Sequence, residues 1–235
     1  MDTEPPRSQP IQAILFDLDG TLVDTAPDLA QALNRLREEE GLSPLPYAAI
    51  RDQVSNGGNA LIQLGFGLTS EHPDQPRLRQ RLLDLYAQAP AEYSQVFPGL
   101  DQLLLQLERQ PLPWGIVTNK PRLYTELVLR GLKLHPQVVV CPEDLGVSKP
   151  DPAPLLFAAR QLAVAPEACV YIGDHQRDIE AGKRAGMRTL TAGFGYIPRD
   201  ENPQHWQSDF IAETAAALVH WLQPRLADEL TFAFG

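Results

Sequence analysis

The chain has 235 residues, of which 43% are hydrophobic and 21% are charged, and its formal net charge is −10. This length allows one large domain or one domain with an insertion. The acidic balance, with no Lys/Arg-rich patch, argues against nucleic acid as a partner. No apolar run reaches the roughly 18 residues that a membrane-spanning helix needs. We therefore expect a folded protein that binds neither nucleic acid nor membrane, with the cytoplasm as its location.

The first ten residues and the two cysteines are uninformative about chemistry. Residues 1–10 are polar and proline-rich, which predicts a flexible tail and not a secretory signal. Cys141 and Cys169 are too few for a disulfide framework at this length. Because each adjoins a predicted strand, we expect both to be small buried apolar residues.

Five short runs rich in apolar residues predict strands, in chain order Ile11–Phe16, Trp114–Thr118, Gln137–Cys141, Cys169–Gly173 and Arg188–Ala192. The runs are nearly continuous, which is typical of strands covered on both faces. Helical patterns between them predict an α/β fold with a Rossmann-like parallel sheet. Ligands of such folds bind beyond the carboxyl ends of the strands.

The connection between the first two strands is far longer than a crossover needs. Much of it shows helical periodicity, at Ala26–Glu39, Asn59–Leu64 and Leu78–Tyr86. We interpret residues 24–94 as an inserted small helical domain, and residues 11–23 and 95–235 as the α/β core.

Two carboxylates, Asp17 and Asp19, follow the first predicted strand and precede Gly20 and Thr21. At a strand end, both can point into one crevice, hold a divalent cation and present an oxygen nucleophile to phosphorus. Gly20 permits a sharp turn, and Thr21 offers a hydroxyl and a backbone N–H to a phosphate oxygen. The alternative is a plain turn with a helix-capping carboxylate.

The next two polar segments can bind a phosphoryl group. Thr118 and Asn119 end the second strand, where a hydroxyl and a backbone N–H can meet a phosphate oxygen, although this is also ordinary turn chemistry. We expect Lys120 to be a solvent-facing residue at a helix start. Lys149 stands before a stiff Pro-x-Pro turn, so its ammonium can neutralise phosphoryl oxygens, or it is simply exposed. Asp151, within that turn, is expected to cap the following helix.

A second pair of carboxylates follows the strand Cys169–Gly173. Asp174 can reach a metal from the loop, and Asp178, one helical turn further on, can ligate through water or orient a ligand. His175 lies between them, but Mg²⁺ prefers oxygen ligands, so we expect His175 to be a rim residue near the substrate.

Together these segments resemble the signatures of the haloacid dehalogenase-like (HAD) superfamily. The second aspartate of the first segment, Asp19, is typical of the phosphatase-type members of that superfamily. The resemblance implies a HAD-like core with a cap domain over the site. It implies a Mg²⁺-dependent phosphomonoester hydrolase that works through an aspartyl-phosphate on a small phosphorylated metabolite. The implied catalytic residues are Asp17 as nucleophile, Asp19 as acid and then base, Thr118 and Lys149.

The resemblance also implies the ligands of the cofactor Mg²⁺: Asp17, the backbone carbonyl of Asp19, and Asp174. Asn119 would give a second hydrogen-bond donor to phosphate. Burial beneath the cap and nearby anions would favour the proton that Asp19 needs in its first role.

The substrate is the least determined part of this reading. The chain resembles phosphoglycolate phosphatases, whose cap supplies specificity residues; Asn56, Gly57 and Gly58 stand at the matching place, or form a plain interhelical turn. Arg51 could pair with an anion, but we interpret it as a surface helix arginine. Residues 192–197, together with 173–178, resemble those of a subgroup that acts on N-acetylmuramic acid 6-phosphate in cell-wall recycling, within carbohydrate metabolism.

Two further functions stay open. A phosphomutase of the same superfamily would keep the aspartyl-phosphate but return the phosphoryl group to a sugar. A non-catalytic relative would only bind a phosphorylated ligand and would have lost a catalytic residue. The presence of all four side chains that the chemistry needs argues against it: Asp17, Asp19, Lys149 and Asp174. The oligomeric state is open, since the sequence has no coiled-coil heptads.

Overall fold

The computed structural model of the chain describes residues 10–110 and 112–226. The predicted flexible tail, apart from Pro10, lies outside the described residues. Within them, no helix is long and apolar enough to cross a membrane.

The main sheet of the described residues has six parallel strands: β1 (Ala13–Phe16), β4 (Trp114–Val117), β5 (Val138–Val140), β6 (Cys169–Gly173), β7 (Arg188–Ala192) and β8 (Phe210–Ala212). Their order is β5-β4-β1-β6-β7-β8. In register, Ile14 of β1 lies opposite Trp114, and Phe16 lies opposite Ile172. The α/β fold with a parallel sheet is confirmed, and β1 lies between the two other strands that carry polar residues at their ends.

The predicted strands agree with the structure to within a few residues. The first begins at Ala13 and not at Ile11, because Ile11 makes only an isolated bridge to Leu226. Strand β8 was not predicted: its three residues are too short a run to stand out from the surrounding polar sequence.

Ten α-helices accompany the strands in the described ranges: α1 (Ala26–Glu39), α2 (Tyr47–Arg51), α3 (Gly57–Phe66), α4 (Gln75–Gln88), α5 (Leu100–Arg109), α6 (Arg122–Leu132), α7 (Pro142–Leu145), α8 (Ala153–Gln161), α9 (Gln176–Arg184) and α10 (Ala215–Leu222). The apolar face of α5 shows why the periodic pattern works: Leu100, Leu103, Leu104 and Leu107 are all buried. Each such side chain contributes roughly 1.5–3 kcal/mol by burial.

Helices α1 to α4 lie between two short strands that pair with each other, β2 (Val23–Asp24) and β3 (Gln95–Val96). The chain therefore leaves the core and returns to it at one place. Buried Asp28 of α1 strengthens this junction, because its carboxylate accepts hydrogen bonds at 2.9 Å from the backbone N–H groups of Tyr93 and Ser94. These elements lie within the insertion predicted at residues 24–94. We call the helices α1–α4, with the loops that join them, the cap. That the cap is a separate domain stays a prediction.

Both cysteines are buried and free. Burial raises the pKa of the Cys169 thiol to about 11, and it also raises that of Cys141. Both thiols therefore behave as small apolar groups, as predicted.

Candidate active site

The carboxyl ends of three neighbouring strands bring the predicted site residues together. Asp17 follows β1, Thr118 follows β4 and Asp174 follows β6, and all three are buried. Parallel strands end at the same edge of a sheet, so residues that are distant in sequence meet in one crevice. Lys149 reaches this crevice from the turn before α8.

Lys149 is the central cation of the site. Its Nζ lies 2.8 Å from Asp17 Oδ1 and 2.7 Å from Asp178 Oδ1, and the lysine side chain is 1% exposed. Nζ also donates a hydrogen bond of 2.8 Å to the Tyr171 hydroxyl, which itself donates to the Val117 carbonyl oxygen. Burial alone would lower the pKa of Lys149, but the carboxylates of Asp17 and Asp178 outweigh it and raise that pKa. Lys149 is therefore an ammonium ion that is fixed on three sides.

Asp17, Asp174 and Asp178 form a cluster that can hold a divalent cation. One carboxylate oxygen from each residue lies within 4.8 Å of the others. Burial, followed by the charges of Asp17 and Asp178, raises the pKa of Asp174 to about 7. Asp174 Oδ1 is buried and has no hydrogen-bond partner among the described residues. All donors are oxygens, so the cluster fits a hard divalent cation that would compensate this charge.

Two glycines let the chain approach the Asp174 carboxylate. Gly20 has φ +79°, and a Cβ there would lie 2.2 Å from Asp174 Oδ2. A Cβ on Gly195 would lie 2.4 Å from Asp174 Cβ and from the Gly20 carbonyl oxygen. Neither position has room for a side chain. At Gly20, this close approach accompanies the sharp turn that the sequence predicts.

Asp19 is paired with a cation, and this corrects the expectation for Lys120. Lys120 Nζ lies 2.9 Å from Asp19 Oδ1, its side chain is only 7% exposed, and it stands 4.7 Å from the ring centroid of Tyr86 in α4. Burial would lower the pKa of Lys120, but Asp19 and Tyr86 together raise it. Lys120 is therefore not a solvent-facing residue. The Asp19 carboxylate also accepts a hydrogen bond of 2.6 Å from the Thr25 hydroxyl.

The residues predicted to bind phosphate differ in what their side chains contact. The Thr118 hydroxyl oxygen accepts from the backbone N–H of Lys120 at 3.2 Å. The Asn119 side chain is occupied by the backbone of Lys149: it donates to that carbonyl at 3.0 Å and accepts from that N–H at 2.9 Å. A contact of Asn119 with phosphate would therefore come from its backbone, and its side chain positions Lys149. Thr21 Oγ1 is buried and has no partner within the part of the chain described.

The loop before α3 reaches the core site. Ser55 Oγ donates to Asp174 Oδ2 at 2.8 Å, and the guanidinium of Arg177 donates to the Ser55 carbonyl. Asn56 Oδ1 lies 3.3 Å from His175 Nε2. Gly57 begins α3 with φ +80°, a conformation that suits glycine. The predicted cap residues thus lie beside the crevice, although it is Ser55 that contacts it directly.

His175 is a half-buried link between cap and core and not part of the carboxylate cluster. Its Nδ1 accepts from the Arg177 backbone N–H at 3.2 Å, which places the ring proton on Nε2 toward Asn56. Its ring stacks on Trp206. Burial, followed by the charge of Arg177, lowers the pKa of His175 to about 4, so the imidazole is neutral at pH 7.

The segment at the end of β7, residues 192–197, borders the site. The Tyr196 N–H donates to Asp174 Oδ2 at 2.8 Å, and its hydroxyl donates to Asp24 at the start of the cap. Arg51 lies over the Tyr196 ring, 4.8 Å from its centroid, and donates to the Phe194 carbonyl. Arg51 is therefore a cap-to-core contact, which corrects its interpretation as a surface arginine.

Asp151 and Asp178 also have defined partners. Asp151 Oδ1 accepts from the Ala153 N–H at 2.8 Å, the first residue of α8, which agrees with a capping role. Asp178 accepts from the His175 N–H at 3.0 Å besides pairing with Lys149. Asp178 therefore orients Lys149, in addition to belonging to the carboxylate cluster.

A cavity of about 310 Å³ lies between the crevice and the cap. Its core wall includes Asp17, Asp19 and Lys149, and its cap wall includes Arg79 and Tyr86. Sequence reasoning missed Ser55, Tyr171, Arg79 and Arg177. Two of them carried a signal: Arg177 lies within the segment 173–178, and Arg79 lies on the helix face opposite to Arg77 and Arg81.

Comparison with known proteins places the chain in a family. A model described as haloacid dehalogenase-like hydrolase matches residues 14–192. The chain belongs to this family. The resemblance read from the four motifs is thereby confirmed.

Two curated relatives match over nearly their full length. An N-acetylmuramic acid 6-phosphate phosphatase of Pseudomonas aeruginosa is 40% identical, over 93% of this chain and 97% of that protein. A phosphoglycolate phosphatase of Xanthomonas campestris pv. campestris is 38% identical, over 91% and 98%. A crystal structure described as a predicted phosphoglycolate phosphatase from Haemophilus somnus has a TM-score of 0.78 at 24% identity, covering 90% of this chain and 97% of that one, and it supports the fold.

Proposed function

We propose that this protein is a Mg²⁺-dependent phosphomonoesterase that acts on a small phosphorylated metabolite through an aspartyl-phosphate. The observation that carries the proposal is the fixed ammonium of Lys149 between Asp17 and Asp178, beside Asp174 Oδ1, which has no hydrogen-bond partner among the described residues. The phosphatase relatives, matched over nearly their whole length, support the same class of reaction.

In the proposed first step, a carboxylate oxygen of Asp17 attacks phosphorus while the bond from phosphorus to the ester oxygen breaks. Asp19 gives its proton to the leaving oxygen, so that the alcohol departs neutral. Lys149 stabilises the negative charge on the phosphoryl oxygens from a position that needs no rearrangement. Lys120 holds Asp19 at the cavity wall, 2.9 Å away, until the leaving group arrives.

In the second step, Asp19 accepts a proton from water, and the water oxygen attacks phosphorus. The bond between phosphorus and Asp17 breaks, which releases inorganic phosphate and restores the carboxylate. Asp17, Asp174 and the backbone carbonyl of Asp19 would hold the Mg²⁺ ion. When bound, the ion offsets charge on the carboxylates and the phosphoryl group.

The test is phosphate release from p-nitrophenyl phosphate, with Mg²⁺ or with EDTA. We expect Asp17→Asn to abolish turnover, whereas Asp101→Asn, the same change on an exposed site of α5, retains it. Asp19→Asn should accumulate a phospho-enzyme, seen by mass spectrometry, since the second step lacks its base. Near-normal turnover of Asp17→Asn would refute the covalent mechanism.

Two substrates follow from the relatives, 2-phosphoglycolate first and N-acetylmuramic acid 6-phosphate second. The second is favoured by the 40% identical relative. A panel that adds glucose phosphates and nucleoside monophosphates would decide between them. Transfer of phosphate between sugar positions without bulk phosphate release would indicate a phosphomutase, and no reaction at all would indicate a binding protein. A cytoplasmic location, without nucleic-acid or membrane partners, is part of the proposal.

A further inference from the structure

The cavity between crevice and cap is larger than a phosphoryl group requires. Its volume of about 310 Å³ equals roughly ten water molecules at about 30 Å³ each. The cap wall beyond the phosphoryl position includes the apolar or aromatic side chains of Leu82, Leu83 and Tyr86, and Tyr124 of the core helix α6 lines the cavity as well. The space is therefore built for the remainder of a substrate, with an apolar wall along one side.

Four cations line this cavity, and three of them have partners. Lys149 is paired with two carboxylates, Lys120 with Asp19, and Arg177 donates to the Ser55 carbonyl. Arg79 makes no hydrogen bond or ion pair with any residue that the structure describes. It is the cation that remains available to a ligand.

The position of Arg79 within α4 directs it to the cavity. Arg77 and Arg81 are four residues apart and so share one helix face, where Arg81 pairs with Glu39 of α1 and Arg77 with Glu40, the residue after that helix, each at 2.7 Å. Arg79, between them in sequence, lies on the opposite face. There its Nε would be 3.6 Å from a Cβ on Gly58, at the start of α3.

A free guanidinium on a cavity wall matches a planar anion, because its N–H groups fit the two oxygens of a carboxylate. The phosphate end of the substrate belongs at Asp17 and Lys149, across the cavity. The substrates named for the two relatives each contain one phosphate ester and one carboxylate, which makes a carboxylate the matching second anion.

We propose that Arg79 is a specificity-determining residue that binds the carboxylate of a phosphorylated carboxylic acid. The inference rests on the proposed phosphatase function and extends it to the class of substrate. Arg79 receives the carboxylate at the cap wall, the substrate body lies along Leu82 and Tyr86, and the ester phosphorus faces Asp17.

The experiment measures kcat/KM for two matched pairs of substrates. N-acetylmuramic acid 6-phosphate is compared with N-acetylglucosamine 6-phosphate, which lacks the lactyl carboxylate. 2-Phosphoglycolate is compared with 2-hydroxyethyl phosphate, in which a hydroxymethyl group replaces the carboxylate. The wild type should prefer the acid in at least one pair, and Arg79→Gln should reduce that preference about tenfold to hundredfold, mainly through KM. Arg79→Lys should retain part of it, and Arg81→Gln, on the opposite face, all of it.

Failure of the inference can be told from failure of the proposed function. Equal preference for acid and neutral substrates in both pairs, or equal losses on both in Arg79→Gln, would overturn the role of Arg79 while phosphate release continues. A preference for sugar bisphosphates that Arg79→Gln removes would assign a second phosphate to Arg79 and overturn the carboxylate. No phosphate release by the wild type from any ester, p-nitrophenyl phosphate included, would refute the phosphatase function itself.

Discussion

Removal of the divalent cation should make the stability of this protein depend on the proton of Asp174. Burial and two neighbouring carboxylates raise the pKa of Asp174 from 3.8 to about 7, and the residue is only 1% exposed. In the unfolded chain the carboxyl returns to its ordinary pKa. The folded state therefore binds this proton more tightly than the unfolded state does.

The sign and the magnitude follow from that difference. A raised folded-state pKa gives stability that is complete below the unfolded pKa and is lost as the pH rises through the folded pKa. One pH unit corresponds to about 1.36 kcal/mol. Between pH 8 and pH 5, the protonation of Asp174 should therefore add about 3 kcal/mol to the free energy of unfolding of the metal-free protein.

The titration of His175 changes the free energy of unfolding in the opposite direction, so measurements on the wild type alone would combine the two effects. Burial and Arg177 lower the pKa of His175 to about 4. The unfolded chain takes up this proton near pH 6.5, so His175 removes stability as the pH falls from about 6.5 to 4. Asp174→Asn keeps His175 and replaces only the titrating carboxyl, which makes it the matched control.

The assay is urea denaturation of both proteins from pH 8 to pH 5, in EDTA and in saturating Mg²⁺. In EDTA, the unfolding free energy of the wild type should rise relative to that of Asp174→Asn by about 3 kcal/mol as the pH falls. In Mg²⁺ the rise should disappear, because the cation favours the ionised carboxylate. If the difference in unfolding free energy between the two proteins did not change with pH in EDTA, the reasoning would be refuted: Asp174 would not be a buried carboxyl whose charge lacks compensation in the absence of metal.

Three further predictions concern other residues around the site. Lys120→Met should lower the unfolding free energy by about 2–3 kcal/mol, less than for a fully buried pair because Asp19 is 17% exposed; unchanged urea stability would contradict the ion pair. Gly20→Ala should displace Asp174 Oδ2, which lies 2.2 Å from the new Cβ; calorimetric titration should show weaker Mg²⁺ binding, and unaltered affinity would contradict the close approach. Tyr171→Phe removes one partner of Lys149 and should cost about 1–3 kcal/mol, measured by thermal denaturation, where an unchanged Tm would contradict the hydrogen bond.

The sheet and the approximate place of the site could be predicted from the sequence for one physical reason. Strands buried on both faces are nearly continuous apolar runs, as in Cys169–Gly173, whose predicted bounds agree with β6. Parallel connections then place all strand ends at one edge, so Asp17, Thr118 and Asp174 had to meet there. Strand β8 was missed because three residues carry too little pattern.

The surroundings of Asp19 could not be predicted, because they depend on contacts distant in sequence. Lys120 turns inward only because Asp19, 101 residues away, and Tyr86 of the cap lie beside it. A helix-start lysine is exposed in most settings, and nothing local distinguishes this one. The opposite is true of Arg79: its neighbours Arg77 and Arg81 share a face, and this spacing alone separates it from them.

Asp174 connects the cap loop to the carboxylate cluster, because its two oxygens have different surroundings. Oδ2 accepts two hydrogen bonds, from Ser55 in the cap loop and from the Tyr196 N–H after β7, both at 2.8 Å. These donors fix the carboxylate plane and leave Oδ1 without a partner among the residues described. Because Oδ1 is the oxygen left for the proposed cation, the cap loop would help to orient that ligand, while its neighbours line the cavity. Substrate-dependent movement of that loop would therefore alter metal affinity as well as specificity.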